Sequence, residues 1–214
     1  MTGFSYRLSR LWHGRHMTSP RDLSPAAVQL AALARGVRED DLLWPTPSSN
    51  YLVGDLLEHV DGLSRGLQAA ARKESVPQDE LRDGDRHQLR PGWGDRITEQ
   101  LDHLVRAWAE PDAWEGETVE GGVPLPASMA GMFVLDELVV HGWELARATG
   151  QPFEASAEDV SALIAFLESL PPMEDSEGLF DPPVPIADSA PAQDRLIALT
   201  GRDPSWSDGS APAR

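Results

Sequence analysis

The chain contains no cysteine among its 214 residues. Disulfide bonds, thiolate nucleophiles and thiolate metal ligands are therefore all excluded. Any metal ion would have to be held by histidine, aspartate, glutamate or water. The lack of cysteine also fits a cytoplasmic protein, which is the location we expect.

Long apolar runs and an excess of basic residues are also missing. No apolar run approaches the roughly 20 residues that a membrane-spanning helix needs. The 35 acidic side chains outnumber the 18 basic ones and give a formal net charge of -17. Such a surface repels phosphate backbones and anionic lipids, so we expect neither a nucleic-acid nor a membrane partner. With 41% hydrophobic residues, the chain can bury one good core.

Three regions differ in composition. Residues 1–21 form a basic arm that we expect to be disordered or mis-assigned, with Met17 as the alternative start to Met1. Residues 22–170 carry the periodic segments and are predicted to form the folded bundle. Residues 171–214 are rich in proline, aspartate and glycine, and contain one short helical pattern that we expect to pack on the bundle.

The longest helical pattern runs from Ala127 to Gly150. Glu137 and His141 lie four residues apart on its apolar stripe, and apolar residues cover most of the remaining circumference. Such a helix is typical of the centre of a bundle, where an unpaired carboxylate costs several kcal/mol. Glu137 therefore needs a hydrogen-bond partner, a cation or a metal, and a buried Glu–His hydrogen bond is the simplest of these.

Helical periodicity also dominates the rest of the chain, which predicts an all-α fold. The other helical segments run from about Asp22 to Gly36, Val53 to Lys73, Asp95 to Glu110, Ser156 to Leu170 and Ala192 to Thr200. The one expected exception is a short hairpin around Thr118 to Leu125, marked by a Gly-Gly pair and prolines.

A second histidine lies on an apolar stripe in the helix that begins near Val53. His59 occupies the line of leucines of that helix, whereas His103 lies off the stripe of its own helix and His87 lies in a polar loop. A lone histidine on such a stripe is more often a satisfied core residue than a ligand. Together with Glu137 and His141, however, His59 becomes the third member of a candidate metal site.

The chemistry of this trio leaves the metal open. Two imidazoles and one carboxylate match both the His₂Glu set of catalytic zinc sites and the facial triad of iron enzymes. A structural zinc site would usually be closed by a fourth protein ligand, and no fourth inward histidine, aspartate or glutamate is evident from the pattern. With only three protein ligands, the metal would keep coordination positions open for water or substrate.

Four stretches carry a more specific resemblance. They are PTP…VGDLLEHV around His59, then WEG…GGVPLP, then LDELVVHGWELARATGQP, and finally GLF…PPVP…DRLIALTGRDPSW. Together they resemble the actinobacterial metal-binding branch of the DinB-like superfamily, which is related to the N-terminal metal-binding domain of mycothiol-dependent maleylpyruvate isomerase. The resemblance extends from about Leu23 to Trp206. It implies a DinB-like four-helix bundle, with an extra helix and an irregular tail here, whose divalent metal would be held by His59, Glu137 and His141.

The sequence departs from that family in the loop before His59. The family commonly has PTPCPGW there, and this chain has PTPSSNYLV, with Ser48 at the cysteine position and Tyr51 at the tryptophan position. The role of that cysteine is absent, while a stacking role can pass to Tyr51. We also expect the chain to lack the second α/β domain with which the isomerase completes its substrate and thiol site.

Two classes of function follow, and the sequence leaves open whether the protein is an enzyme. The resemblance implies a metal- and thiol-dependent transferase or isomerase, with mycothiol as the thiol, zinc as the first choice of metal, and nickel, manganese or iron as alternatives. Tyr51, Trp143 and Arg147 would line its mouth, although Arg147 is equally explained as an i, i+3 partner of Glu144. The other class is a non-catalytic metal-binding or stress-related bundle, which could form a homodimer through exposed apolar faces. A metal-dependent hydrolase is a further alternative.

Overall fold

The computed structural model describes residues 20–74, 76, 84–170 and 181–207. Six α-helices and one hairpin are found in these ranges: α1 Ser24–Gly36, α2 Val53–Ala71, α3 Trp93–Ala109, β1 Glu117–Glu120, β2 Val123–Pro126, α4 Ala127–Thr149, α5 Ala157–Ser169 and α6 Ala192–Leu199. The all-α prediction is confirmed, and the predicted helices end within a few residues of the observed ones. Residues 1–19 of the predicted arm lie outside the described residues. None of the described helices has the length and hydrophobicity to cross a membrane.

Helices α1 to α4 form the bundle. On one side α3 packs against both α1 and α2, and on the other side α4 packs against the same two helices. Leucines such as Leu30, Leu57, Leu101 and Leu135 are almost fully buried between them. Each fully buried side chain of this kind stabilises the fold by roughly 1.5–3 kcal/mol, so this four-way contact holds the bundle together.

Helix α4 is the most deeply buried element, as its sequence predicts. Of its 23 residues, 19 are buried, and these include Asp136, His141 and Glu144. The helix begins directly after Pro126, and Gly150 ends it in the left-handed conformation with φ 66°. Any polar side chain in its middle therefore needs a partner inside the protein.

The hairpin runs along the bundle beside α2 and α4. Its strands pair antiparallel, with Glu117 opposite Pro126 and Glu120 opposite Val123. The hydroxyl of Thr118 donates a 2.6 Å hydrogen bond to the carbonyl of Ala70 near the end of α2. Because alternate residues of a strand share a face, Glu120 points toward the bundle on the same side as Thr118.

The C-terminal elements pack on this framework through α5. The Ser156 side chain accepts a hydrogen bond from the backbone N–H of Asp159, which confirms the predicted start of α5. Helix α6 packs on α5. The chain beyond α6 then returns to α4, where Nη2 of Arg147 donates a 2.7 Å hydrogen bond to the carbonyl of Pro204.

Gly131 of α4 packs closely against the ring of Trp114. A Cβ at Gly131 would overlap ring atoms of Trp114, whose Nε1 donates a 2.8 Å hydrogen bond to the carbonyl of Trp108. We expect Gly131→Ala to lower the free energy of unfolding by about 1–3 kcal/mol, because neither ring can move away easily. Gly62→Ala in α2 is the control, since a Cβ added there has no neighbour within 4 Å, and we expect it to raise the free energy of unfolding by about 0.5–1 kcal/mol. Urea unfolding measures both, and equal effects would contradict the contact.

Candidate metal centre

Helices α2 and α4 bring together His59, Glu137 and His141. One ligand atom from each lies within 4.8 Å of the other two, and no other such group of three histidine or acidic residues occurs in the described part of the chain. Oε2 of Glu137 is 2.6 Å from Nε2 of His141 and 3.9 Å from Nε2 of His59. The Glu137 side chain remains 32% exposed, while that of His141 is only 7% exposed. The cluster is therefore buried at its base and open beside Glu137.

The orientation of His59 is set by Tyr51. The two rings stack with their centroids 5.1 Å apart, and the Tyr51 hydroxyl lies 3.3 Å from Nδ1 of His59. The backbone at Gly84, in the left-handed conformation with φ 81°, packs against both residues, so that an added Cβ would lie 3.0 Å from Cβ of His59. Because the Tyr51 hydroxyl contacts Nδ1 of His59, the other ring nitrogen, Nε2, faces Glu137.

The segment that carries Gly84 is fastened to the first turns of α2. Oε2 of Glu58 accepts a hydrogen bond from the backbone N–H of Asp85. Oδ1 of Asp55 accepts one from the backbone N–H of Arg86, and Nη1 of Arg86 lies 3.3 Å from the same oxygen. These bonds give hydrogen-bond donors to two carboxylates of α2, and they hold the backbone of Gly84 against His59.

His141 is held from its other side by Glu144. Nδ1 of His141 lies 2.7 Å from Oε2 of Glu144, whose side chain is fully buried. Oε1 of the same carboxylate accepts a 2.8 Å hydrogen bond from Nε of Arg202. Both nitrogens of His141 therefore face a carboxylate, with Glu137 at Nε2 and Glu144 at Nδ1.

The 2.6 Å contact between Glu137 and His141 shifts the pKa values of both side chains. Burial by itself lowers the pKa of His141, but the carboxylates of Glu137 and Glu144 outweigh it and raise that pKa to about 10. Burial by itself raises the pKa of Glu137, but His141 and His59 outweigh it and hold that pKa well below its usual range. Glu137 is thus an ionised carboxylate, which makes it suitable as a metal ligand.

Two further acidic groups near Glu137 have a buried oxygen that accepts no hydrogen bond from the described residues. Oδ1 of Asp136 and Oε2 of Glu120 are buried and have no hydrogen-bond partner among the described residues. Burial, with added repulsion from Glu137, raises the pKa of Asp136 to about 7. The same two causes raise the pKa of Glu120 well above its usual value.

These acids correct the expectation that no further inward acidic residue is present. Glu144 could have been found from its spacing, because i, i+4 and i+7 place Glu137, His141 and Glu144 on one helix face. Asp136 and Glu120 could not, because neither lies at such a spacing. Nor is Glu144 the partner of Arg147, since its oxygens contact His141 and Arg202 instead.

The other candidate residues take varied positions. Tyr51 contacts His59 directly, as described above. Trp143 is buried in the core, and Cζ of Arg147 lies 5.7 Å from its ring centroid. In the described ranges, neither residue makes a hydrogen bond, ion pair or ring contact with the central trio. His87 and His103 are exposed, which confirms their predicted position on the surface.

Comparison with known proteins gives related sequences of unassigned function. The uncharacterized protein Rv0738 of Mycobacterium tuberculosis strain H37Rv is 29% identical over 185 residues, which cover 80% of this chain and 91% of the relative. The uncharacterized protein MT0763 of strain CDC 1551 / Oshkosh matches equally well. The match to these relatives therefore covers most of the chain.

A solved structure and a family match identify the fold and the family. The crystal structure of the mycothiol-dependent maleylpyruvate isomerase superposes with a TM-score of 0.54 at 17% identity, over 68% of this chain and 66% of that one. At this identity the likeness establishes the fold alone, and this chain spans just under two thirds of the length of that structure. The family defined by the mycothiol maleylpyruvate isomerase N-terminal domain matches residues 23–146, more than half of the chain, and the protein therefore belongs to that family.

Proposed function

We propose that the protein binds one divalent metal ion through Nε2 of His59, Oε2 of Glu137 and Nε2 of His141, and that it acts on a small thiol as a transferase or isomerase. The observation that carries the proposal is the convergence of these three atoms to within 4.8 Å from two separate helices. Two histidines and one glutamate are a common ligand set of catalytic zinc, and they also suit nickel, manganese or iron.

The charge balance around the trio supports a cation. Glu144 has Arg202 as a partner, but Glu137 is flanked by two further acids whose buried oxygens, in Asp136 and Glu120, lack hydrogen-bond donors among the described residues. Uncompensated buried carboxylates are costly. A dication at the trio would lower the electrostatic cost of all three acids, whereas a simple Glu–His hydrogen bond compensates only Glu137.

The thiol part of the proposal rests on the open side and on the family. Three protein ligands leave coordination positions free, and the partial exposure of Glu137 lets a small molecule approach. A bound divalent metal lowers the pKa of a coordinated thiol, which gives a nucleophile that a cysteine-free chain cannot supply itself. Mycothiol is the thiol named in the description of the family. Tyr51 would border the entrance beside His59.

The metal site is tested by removing one histidine at a time. We expect about one zinc ion per chain in the wild type and none in His141→Ala, because His141 supplies a buried ligand. His103→Ala and His87→Ala are the controls, since both side chains are exposed, and they should retain the metal. A ligand at a thousandfold excess over its dissociation constant adds about 4 kcal/mol of stability, so a chelator should lower the Tm of the wild type and the controls only. A wild type that holds no metal and whose Tm is unchanged by zinc, nickel or manganese would contradict the proposal.

The uncompensated acid on the hairpin gives a pH-dependent test. Burial raises the pKa of Glu120, so its ionisation destabilises the folded state once the pH exceeds the unfolded-state pKa, and has no effect well below it. In the presence of a chelator, we expect Glu120→Gln to raise the Tm increasingly as the pH rises from about 4 to 8. Glu117→Gln on the exposed part of the same strand should change the Tm little. Zinc should reduce the benefit of Glu120→Gln, because the cation offsets the carboxylate. A benefit independent of pH and zinc would contradict the charge balance.

The thiol is tested on cobalt-substituted protein. Adding mycothiol should produce a sulfur-to-cobalt charge-transfer band, because the thiol sulfur would enter an open coordination position. His59→Ala should abolish the band, and His103→Ala should leave it unchanged. If millimolar thiol leaves the spectrum unchanged while acetate or imidazole perturbs it, the site is open but does not bind thiol, and the hydrolytic or non-catalytic function is favoured.

A further inference from the structure

We propose that Arg202, in the C-terminal tail, is a positioning residue of the metal centre. It fixes the carboxylate of Glu144, which in turn holds the ring of His141 with Nε2 toward Glu137. The proposal rests on the proposed function, because the side chain that is positioned is one of the three metal ligands.

The contacts form a continuous chain from the tail to the ligand. Nη1 of Arg202 donates a 2.7 Å hydrogen bond to the carbonyl of Thr200, immediately after α6. Its Nε donates a 2.8 Å bond to Oε1 of Glu144, and Oε2 of Glu144 lies 2.7 Å from Nδ1 of His141. Each link is of normal hydrogen-bond length, and the orientation of the guanidinium is set at both ends.

Glu144 determines which nitrogen of His141 faces the metal position. An ionised carboxylate only accepts hydrogen bonds, so the bond to Glu144 requires a proton on Nδ1 of His141. A neutral imidazole protonated at Nδ1 offers its lone pair at Nε2, the atom that faces Glu137. Carboxylates that hold metal-binding histidines in this way fix the tautomer and the ring orientation.

Arg202 is needed because Glu144 is surrounded by protein and by other acids. The side chain of Glu144 is fully buried, and that of Arg202 is only 16% exposed. Asp136 and Glu137 lie close enough to interact electrostatically with Arg202 as well. Removing one member of a buried ion pair leaves the other charge uncompensated. Without Arg202, Oε1 of Glu144 loses its hydrogen-bond donor, and only the contact with His141 still holds the carboxylate.

The alternative is that Arg202 only fastens the tail to α4, and Arg147 is a matched residue that fastens the tail without contacting Glu144 or His141. Nη2 of Arg147 reaches from α4 to the carbonyl of Pro204, in the same stretch of the tail. Arg147 lies one turn beyond Glu144 on the same helix but makes no bond to the side chains that hold the metal position. Arg202 also lies outside residues 23–146, which match the family domain. The tail would thus complete a site whose ligands all lie within that domain.

The experiment compares Arg202→Met with Arg147→Met in the full-length chain. Zinc affinity is measured by competition with a chelator, and the Nδ1–H signal of His141 is followed by ¹⁵N NMR. We expect Arg202→Met to weaken zinc binding by about 10–100-fold and to shift or remove the His141 signal, while Arg147→Met changes neither. Arg202→Lys should restore part of the affinity, because it returns the charge without the planar fork of donors.

Three outcomes decide between the explanations. Equal losses of zinc affinity in the two methionine variants, in proportion to their losses in Tm, would overturn the proposal in favour of simple fastening. Full zinc affinity in Arg202→Met, with an unchanged His141 signal, would overturn the proposal and leave the metal site intact. A wild type without zinc affinity would overturn the proposed function itself.

Discussion

The constraint on which the structure depends is the burial of acidic side chains in the middle of α4. Asp136 and Glu144 are almost inaccessible, and Glu137 lies between them on a helix with 19 buried residues out of 23. A bundle core ordinarily excludes such charges unless they are paired. Two basic groups from other parts of the chain approach them, His59 from α2 and Arg202 from the tail. The packing of these elements around α4 is therefore also the assembly of the candidate site.

The orientations of His59 and His141 depend on segments that are distant in the sequence. His59 is braced by Tyr51 and by the backbone of Gly84, so its direction depends on the loop before α2 and on the segment before α3. His141 depends in the same way on the end of α6, through Glu144 and Arg202. Because a metal binds the assembled site and not the unfolded chain, its binding free energy would stabilise all of these segments together.

The sequence predicts the helices and the central trio because both follow from helical spacing. Glu137 and His141 are one turn apart, and His59 lies on a line of leucines, so the period alone indicates where they point. The tail residue Arg202 lies 58 residues from Glu144, and no period relates the two. The inward position of Glu120 does not follow from the sequence, because a four-residue strand gives too little alternation to show which face is inward. The sequence offers Glu144 as an i, i+3 partner of Arg147. It does not show that Glu144 contacts the tail instead, because α4 is apolar nearly all round and its pattern does not indicate which polar residues face the tail.

The distances within the trio suit the metal ion that we propose better than a histidine–glutamate pair alone. Such a pair accounts for the 2.6 Å contact of Glu137 with His141, but Nε2 of His59 also faces the same oxygen, from 3.9 Å, which is longer than an ordinary hydrogen bond. Ligand atoms that share a tetrahedral zinc at about 2.0–2.1 Å lie roughly 3.3 Å from one another. The observed separations fall on both sides of that value. A shared ion would lengthen the shorter of these two separations and shorten the longer one, whereas a hydrogen-bonded pair would need only the shorter one.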